Sequence, residues 1–299
     1  MELSARAGTA RDIQIARYKS IALMCAAVLL FSLLDTVAKY LSDEFTSQQV
    51  VWARYACHML FTLFLFRPRT LIAQLSSERP WLQIARGFLL AGATYGNFFA
   101  VRYLQLTETV SIFFLAPLLV TALAIVFLGE KVGLRRWAAI VVGFLGVMIV
   151  VRPGFGGLHW AVIFSFASVT SYAGYTIITR LLAPIDRPET SLLFSALVGF
   201  VISTPVAIFG WVTPDSIYDI GLFLLMGLCG AVGHYMLILA HQNVEASVLA
   251  PFSFTAIIWM TLTGYYVFGD IPGLTTIIGA AVVISSGLYL LNRERAQKS

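Results

Sequence analysis

The chain has 299 residues, of which 59% are hydrophobic and only 12% are charged. Soluble domains carry about 25% charged residues, so this chain has too little polar surface to cover a water-soluble fold of its length. The net charge of +5 does not indicate nucleic-acid binding, because the basic residues lie at the ends of apolar runs rather than on one face. The three cysteines lie inside apolar runs without metal-ligand or disulfide spacing, so no metal site is predicted.

Ten runs with few or no charges follow one another along the chain. Each is long enough, or nearly so, to cross a hydrocarbon core of about 30 Å as a helix, which takes roughly 20 residues. The connections between them are mostly too short to fold alone. The sequence therefore predicts an all-α polytopic membrane protein whose transmembrane helices lie near 20–40, 47–66, 81–103, 108–128, 134–151, 158–180, 189–211, 218–241, 245–268 and 272–292.

The basic residues alternate between the two sides of this arrangement. Fifteen of the 20 lysines and arginines lie in the two termini and in the second, fourth and sixth gaps. The opposite gaps hold only Arg102 and Arg152, together with several acids. By the positive-inside rule, both termini are cytoplasmic, which makes 1–19 and 293–299 cytoplasmic tails.

The two halves of the chain repeat one another. The sequence GEKVGL at 129–134, after the fourth run, returns as GDIPGL at 269–274, an offset of 140. A copy with five helices, an odd number, must be followed by a copy inserted upside down. We therefore expect two inverted repeats, 20–151 and 152–292, around a central cavity, as in secondary transporters.

Charged residues within the membrane are rare and costly, so each is a candidate site residue. Asp35 lies about 22 Å along the first helix, and Lys39 follows one turn later on the same face. In the second helix, Arg54 lies about 10 Å below the outer surface, with His58 one turn deeper. Two interpretations stay open. The charges either form a salt-bridge cluster between the helices, or they have a function, in which Arg54 or Lys39 binds a substrate carboxylate or Asp35 takes a proton or an ammonium group.

Further polar and aromatic residues come from both halves. Hydroxyls, aromatics and amides that converge on one place would form a cavity for a small amphipathic solute, although a single aromatic more often fills a core or faces lipid. Arg86, in contrast, is expected to reach the cytoplasmic interface from the inner end of the third helix. The remaining candidates for substrate binding are Tyr95, Asn97, Phe98, Tyr172, Tyr175, His234 and Trp259.

Pro117 and Pro251 interrupt the fourth and ninth runs at similar places. Proline removes a backbone donor and kinks a helix, so these residues are candidate hinges, or else fix a static bend. The sequence contains no G-x-x-x-x-G-K-[ST] phosphate loop, and neither H-E-x-x-H nor G-x-S-x-G, which argues against direct ATP drive and against a hydrolase.

Taken together, these features resemble the drug/metabolite transporter superfamily, in its EamA-domain branch. The resemblance implies ten helices around a central cavity, alternating access, a small-molecule substrate, the bacterial cytoplasmic membrane, no cofactor and no required oligomer. Superfamily members of similar layout export amino acids, including aromatic ones, and others take up S-adenosylmethionine or riboflavin. The residues that carry the resemblance are Asp35, Lys39, Tyr40, Arg54, Arg86, Gly87, Ala116, Pro117, Gly129, Glu130, Ala250, Pro251, Gly269 and Asp270.

We expect a secondary carrier that exports amino acids, with aromatic and other bulky apolar ones preferred. An aromatic and hydroxylated lining would hold a ring while a polar end meets Arg54, Asn97 or His234. The alternative is an uptake carrier for S-adenosylmethionine, riboflavin or a similar metabolite, in which Asp35 binds a sulfonium or an amine. A more distant alternative is a lipid-modifying membrane enzyme that uses Asp35, His58 and His234.

Overall fold

A computed structural model describes residues 2–65, 75–104, 106–130, 133–151 and 160–269. Between 271 and 289, it describes all but 272, 276, 280, 283, 287 and 288. The described residues form helices joined by turns and short irregular segments, with no β-strand among them. The predicted all-α polytopic fold is confirmed.

The helices follow the predicted runs. Further helical residues lie between 274 and 289, where the tenth run falls partly outside the described residues. The helices are α1 Glu2–Leu41, α2 Ser47–Leu65, α3 Pro80–Tyr103, α4 Leu106–Phe113, α5 Ala116–Leu128, α6 Leu134–Val151, α7 Val162–Leu182, α8 Pro188–Ala207, α9 Ile217–Asn243, α10 Ala246–Leu249, a 3-10 helix Ala250–Thr255 and α11 Ala256–Phe268.

Four of the described helices are long and apolar enough to cross a membrane by length and composition. They are Gln14–Leu41, Val162–Leu182, Pro188–Ala207 and Ile217–Gln242. Helices α2 and α3 have 19 and 24 residues, which is also about the length of a span, but they carry the buried polar residues of the site described below.

Two features differ from the sequence expectation. Helix α1 begins at Glu2, so the predicted tail 1–19 continues into the first span as one helix. The fourth and ninth runs are broken rather than kinked, because Pro117 lies in the first turn of α5 and Pro251 in the first turn of the 3-10 helix. Proline suits a first turn, where its missing N–H has no intrahelical partner. Whether these breaks act as hinges stays a prediction.

Matching glycines end corresponding helices in the two halves. Gly129 ends α5 and Gly269 ends α11, at the offset of 140 seen in the sequence repeat. Their φ angles are 65° and 70°, in the left-handed region that glycine adopts without a steric penalty. The repeat in the sequence is therefore a repeat in the backbone.

The halves interlock through equivalent helix pairs. Helix α1 packs most extensively on α9, and its counterpart α7 packs on α3. A Cβ added to Gly87 would lie 2.6 Å from Cβ of Val198, and one added to Gly227 would lie 2.1 Å from Cβ of Cys57. These two glycines, also 140 apart, let α3 approach α8 and α9 approach α2. The five spans per half that the sequence predicts imply that the second half crosses the membrane in the opposite sense to the first.

The buried apolar side chains form two main clusters along the bundle. One lies toward the cytoplasmic ends of α1 and α9 and contains Met24 and Leu237. The other lies toward their outer ends and contains Leu34 and Met226. His234 falls between the two clusters along α9. This level of the bundle holds the candidate site.

Candidate functional site

An open cavity lies between the two halves, and about 110 Å³ of it is open to a water-sized sphere. The first half contributes α1 to α4 to its wall, and the second contributes α7, α9, the 3-10 helix and α11. This confirms the expected central cavity. The lining residues are Val28, Phe31, Ser32, Leu34, Asp35, Arg54, Leu90, Ala93, Thr94, Asn97, Phe98, Thr109, Val110, Phe113, Phe114, Ser168, Tyr172, His234, Ser253, Ala256 and Met260.

Asp35 is the carboxylate of this lining. It lies in α1, one helical turn beyond Phe31 and Ser32, which share its face. Asn97 of α3 donates from Nδ2 to Oδ1 of Asp35 over 3.0 Å. Both side chains are half-buried. The hydrogen bond fixes one carboxylate oxygen against α3.

Arg54 is the guanidinium of the lining and is only 3% exposed. Its Nη1 donates to Oγ1 of Thr94 over 3.0 Å, and its Nη2 donates to Nε2 of His234 over 2.8 Å. The guanidinium carbon lies 4.5 Å from the centroid of the Tyr55 ring, a cation–π contact. The Nε atom is buried and has no hydrogen-bond partner among the described residues.

This geometry sets the tautomer of His234. A guanidinium has only donors, so Nε2 of His234 must accept from Arg54 and carries no hydrogen. The ring hydrogen then lies on Nδ1, which is 3.0 Å from Oη of Tyr175. His234 is therefore neutral in this arrangement and adds no charge to the cavity.

Tyr175 connects this cluster to Arg86. Nη2 of Arg86 donates to Oη of Tyr175 over 3.0 Å, and its guanidinium lies over the Tyr175 ring at 4.6 Å. Nε donates to Oγ1 of Thr179 over 2.7 Å. Nη1 donates to Oγ of Ser195 over 2.6 Å and to the carbonyl of Ser191 over 2.8 Å.

The expectation for Arg86 was wrong. Its side chain is 0% exposed and does not reach the cytoplasmic interface. Acceptors from α7 and α8 satisfy all three nitrogens, so the charge needs no water to be hydrogen-bonded. Arg86 joins α3 to the second half of the chain.

Six of the eleven predicted substrate-binding residues line the cavity: Asp35, Arg54, Asn97, Phe98, Tyr172 and His234. Tyr175 is fully buried behind it and contacts it through His234. His58 is also fully buried, with its ring stacked on that of His234 at 5.7 Å between centroids and 3° between planes. Neither nitrogen of His58 has a partner among the described residues.

Three predicted residues lie away from the cavity. Lys39 places its Nζ 5.6 Å from the centroid of the Phe268 ring. Tyr95 packs against the outer apolar cluster and Trp259 against the cytoplasmic one. Among the described residues, the predicted salt-bridge cluster of Asp35, Lys39 and Arg54 does not form, because the hydrogen bonds of Asp35 and Arg54 go to neutral groups.

The sequence analysis missed several lining residues. Phe31 lies four residues before Asp35, and Thr94 lies three residues before Asn97, so each shares a helical face with a predicted site residue. Extending the 3.6-residue period from Asp35 and Asn97 would have found them. The aromatic pair Phe113 and Phe114 carries no comparable signal, because it lies where the fourth run unexpectedly breaks.

A smaller cavity, of which about 10 Å³ is open to a water-sized sphere, continues toward the cytoplasmic end. Tyr172 and Ser253 line both cavities. The remaining lining includes Met24, Pro117 and His241. Tyr172 and Ser253 therefore form a wall shared by two cavities that follow one another along the bundle.

Comparison with known proteins identifies the family. The EamA-like transporter family matches residues 18–152 and 159–293, one copy in each half of the chain. The chain belongs to the EamA-like transporter family. An EamA protein of this kind is a multi-pass membrane transporter for small molecules, which agrees with the helical fold and with the cavity between the repeats.

Two curated relatives are similar over nearly the whole EamA chain. A riboflavin transporter of Rhizobium johnstonii is 29% identical over 273 residues, covering 91% of this chain and 90% of the relative. An S-adenosylmethionine uptake transporter of Rickettsia prowazekii is 25% identical over 271 residues, covering 90% of each. A crystal structure of a protein superposes with a TM-score of 0.78 at 17% identity, covering 95% of this chain and 100% of the other, and supports the fold alone.

Proposed function

We propose that this EamA protein is a secondary carrier that takes up a metabolite in which a flat ring system is joined to a polar or charged appendage. Riboflavin and S-adenosylmethionine, the substrates named for the two relatives, both belong to this class. Those names favour the uptake alternative over amino-acid export.

The composition of the large cavity is the observation that carries this proposal. Pockets for drug-sized ligands span about 300–1,000 Å³, and the space open to a water-sized sphere in this cavity is about 110 Å³, so the proposal rests on the chemistry of the wall and not on the volume. Its wall combines rings that can stack on a flat ligand with polar groups that can fix the appendage. The aromatic members are Phe31, Phe98, Phe113, Phe114 and Tyr172.

Hydrogen bonds join the halves at both ends of the bundle, and on the outer side Gln49 exchanges two with the backbone of Val212. In the orientation given by the positive-inside rule, Asp35 and Asn97 lie toward the outer ends of α1 and α3. The cytoplasmic side carries hydrogen bonds between the halves. There, Nε2 of Gln83 donates to Oδ2 of Asp186 over 2.8 Å, and the backbone N–H of Ala246 donates to Oε1 of Glu130 over 3.0 Å. We propose that a substrate entering from outside is released inward when these contacts break, with the segment breaks at Pro117 and Pro251 as hinges.

Flux measurements test the proposal. Purified protein in proteoliposomes is expected to take up labelled S-adenosylmethionine or labelled riboflavin faster than empty vesicles do, and excess unlabelled ligand should suppress that uptake. A thermal-shift assay provides a second measurement, since a ligand at 100 times its Kd stabilises the folded state by about 2.7 kcal/mol. Flux of labelled phenylalanine or tyrosine, with none of either metabolite, would restore the amino-acid interpretation.

A further inference from the structure

We propose that Arg54 binds the carboxylate, and Asp35 a cationic group, of one substrate that carries charges of both signs. This inference rests on the proposed function, because it requires that the cavity hold the transported metabolite. It narrows the substrate class to a ring with a dipolar appendage, such as S-adenosylmethionine, rather than an uncharged molecule such as riboflavin.

Asp35 and Arg54 act on each other electrostatically, but neither donates to or accepts from an oppositely charged side chain within the described part of the chain. Arg54 donates to a hydroxyl of Thr94 and to the neutral ring of His234. Asp35 accepts from the neutral amide of Asn97. Charged groups inside a membrane protein usually pair with one another or face a functional cavity. Here both face the same cavity, so a ligand can bring a hydrogen-bonded partner of opposite charge to each.

Arg54 also has donors to spare. A guanidinium carries five N–H groups, and two of those on Arg54 are used by Thr94 and His234. Its Nε is buried, although the side chain lines the cavity, and has no partner in the described residues. Nε lies beside Gly230 of α9, whereas Nη1 and Nη2 each keep a second N–H. A carboxylate accepts two parallel N–H bonds from a guanidinium, so these two donors suit this group.

The charge balance of the wall favours a substrate with both signs. Among the lining residues given above, Asp35 and Arg54 carry the only formal charges once His234 is neutral. A purely cationic substrate would bring no anion to Arg54, and a purely anionic one would bring no cation to Asp35. A substrate with both a carboxylate and a cationic group gives each residue a hydrogen-bonded ionic partner in a low-dielectric site.

The experiment varies the ligand and the protein together. Equilibrium binding is measured for S-adenosylmethionine, its decarboxylated analogue and 5′-methylthioadenosine, which lacks the carboxylate, the ammonium and the sulfonium. With wild-type protein, we expect decarboxylation to weaken binding about tenfold or more, since charge-assisted hydrogen bonds are the stronger class. 5′-Methylthioadenosine should bind more weakly still.

The variants assign each ligand group to a residue. In Arg54→Gln, S-adenosylmethionine and its decarboxylated analogue should bind within about twofold of each other, because the carboxylate has lost its partner. In Asp35→Asn, the affinity for the decarboxylated analogue should fall about tenfold or more, while the affinity for 5′-methylthioadenosine should be unchanged. Retained binding of 5′-methylthioadenosine shows that each variant is folded. Asp43→Asn and Arg102→Gln are the matched controls, because each removes one charge of the same sign at an exposed position. Neither should change the affinity for any of the three ligands.

The outcomes separate this inference from the proposed function. Equal affinity of wild-type protein for S-adenosylmethionine and its decarboxylated analogue overturns the inference, as does a full carboxylate effect in Arg54→Gln. Binding of riboflavin without binding of any adenosyl ligand leaves the proposed function standing and removes the inference. If none of these ligands binds, the proposed function fails as well.

Discussion

The two buried arginines at the seam between the halves differ in how fully the protein satisfies them. Arg86, on the cytoplasmic side, donates to Tyr175, Thr179, Ser195 and the carbonyl of Ser191. Arg54, on the cavity, donates to Thr94 and His234 and keeps a buried Nε without a described partner. Neither arginine has an ion-pair partner in the described residues. The difference is therefore the number of neutral acceptors within hydrogen-bonding distance of each guanidinium.

Local sequence explains this difference. The ends of α7 and α8 that face Arg86 are rich in hydroxyls, and these complete its hydrogen bonds. Near Arg54 the helix α9 presents Gly230, whose added Cβ would lie 3.9 Å from Nε and which offers no side-chain acceptor. The comparison suggests that a cation saturated by its own protein holds the fold together, whereas one left partly unsatisfied is available to a substrate.

The largest expected effect is on stability, from Arg86→Met. The change removes four hydrogen bonds that join α3 to α7 and α8, and hydrogen bonds to a charged group contribute about 1.5–3 kcal/mol each. We expect the free energy of unfolding in detergent to fall by at least about 3 kcal/mol. Arg54→Met, which removes two hydrogen bonds, should cost less stability. A larger loss for Arg54→Met would reverse the comparison between the two arginines.

A second prediction concerns the close contact that brings α9 against α2, beside Arg54. Gly227→Ala would place a Cβ 2.1 Å from Cβ of Cys57, so the helices must separate, at a cost of about 1–3 kcal/mol. Gly221→Ala, on the same helix, is the matched control because its added Cβ meets nothing within 4 Å. Thermal unfolding should show a loss for Gly227→Ala and none for Gly221→Ala, since alanine favours a helix. Equal midpoints for both variants would mean that α9 and α2 do not touch there.

Tyr175→Phe tests the link between the two arginines. The variant keeps the ring and loses the hydroxyl that contacts Arg86 and His234. We expect about 1 kcal/mol less stability and an affinity for S-adenosylmethionine weaker by about threefold to tenfold, because His234 no longer positions Arg54. Tyr40→Phe, at the exposed outer end of α1, is the control. An unchanged affinity would show that Arg54 is held independently of Arg86.

The smallest effect is expected from Lys39→Met. Lys39 lies one turn from Asp35, but its described contact is the ring of Phe268, and exposed cation–π contacts contribute about 0.5–1 kcal/mol. Substrate affinity should be unchanged within about twofold, because this side chain does not line the cavity. Loss of substrate binding in this variant would show that the site includes Lys39 and extends further toward the outer surface.

The fold was largely predictable because membrane helices can be recognised in a sequence as long runs with few charged residues. The two glycines that end α5 and α11 belong to the repeated sequence, so the repeat could be detected before the structure was known. The breaks before α5 and within the ninth run were predicted only as kinks. Sequence cannot decide whether a proline bends one helix or begins another, since that depends on what its neighbours pack against.

The site was less predictable than the fold, and the errors have two causes. Asp35, Arg54 and Asn97 line the cavity and could be selected from the sequence because a polar group in an apolar run is conspicuous, whereas their binding of a substrate stays a prediction. The surroundings of Arg86 were missed because its acceptors Thr179 and Ser195 lie 93 and 109 residues away along the chain. Lys39 was misplaced because helical spacing gives a face and not the direction in which a long side chain turns.

A structure of the protein determined with S-adenosylmethionine bound tests the central claim most directly. We predict that the ligand lies in the large cavity, with its carboxylate about 3 Å from the guanidinium nitrogens of Arg54 and its cationic end facing Asp35. A ligand bound elsewhere, with Arg54 and Asp35 paired to each other, would contradict the claim.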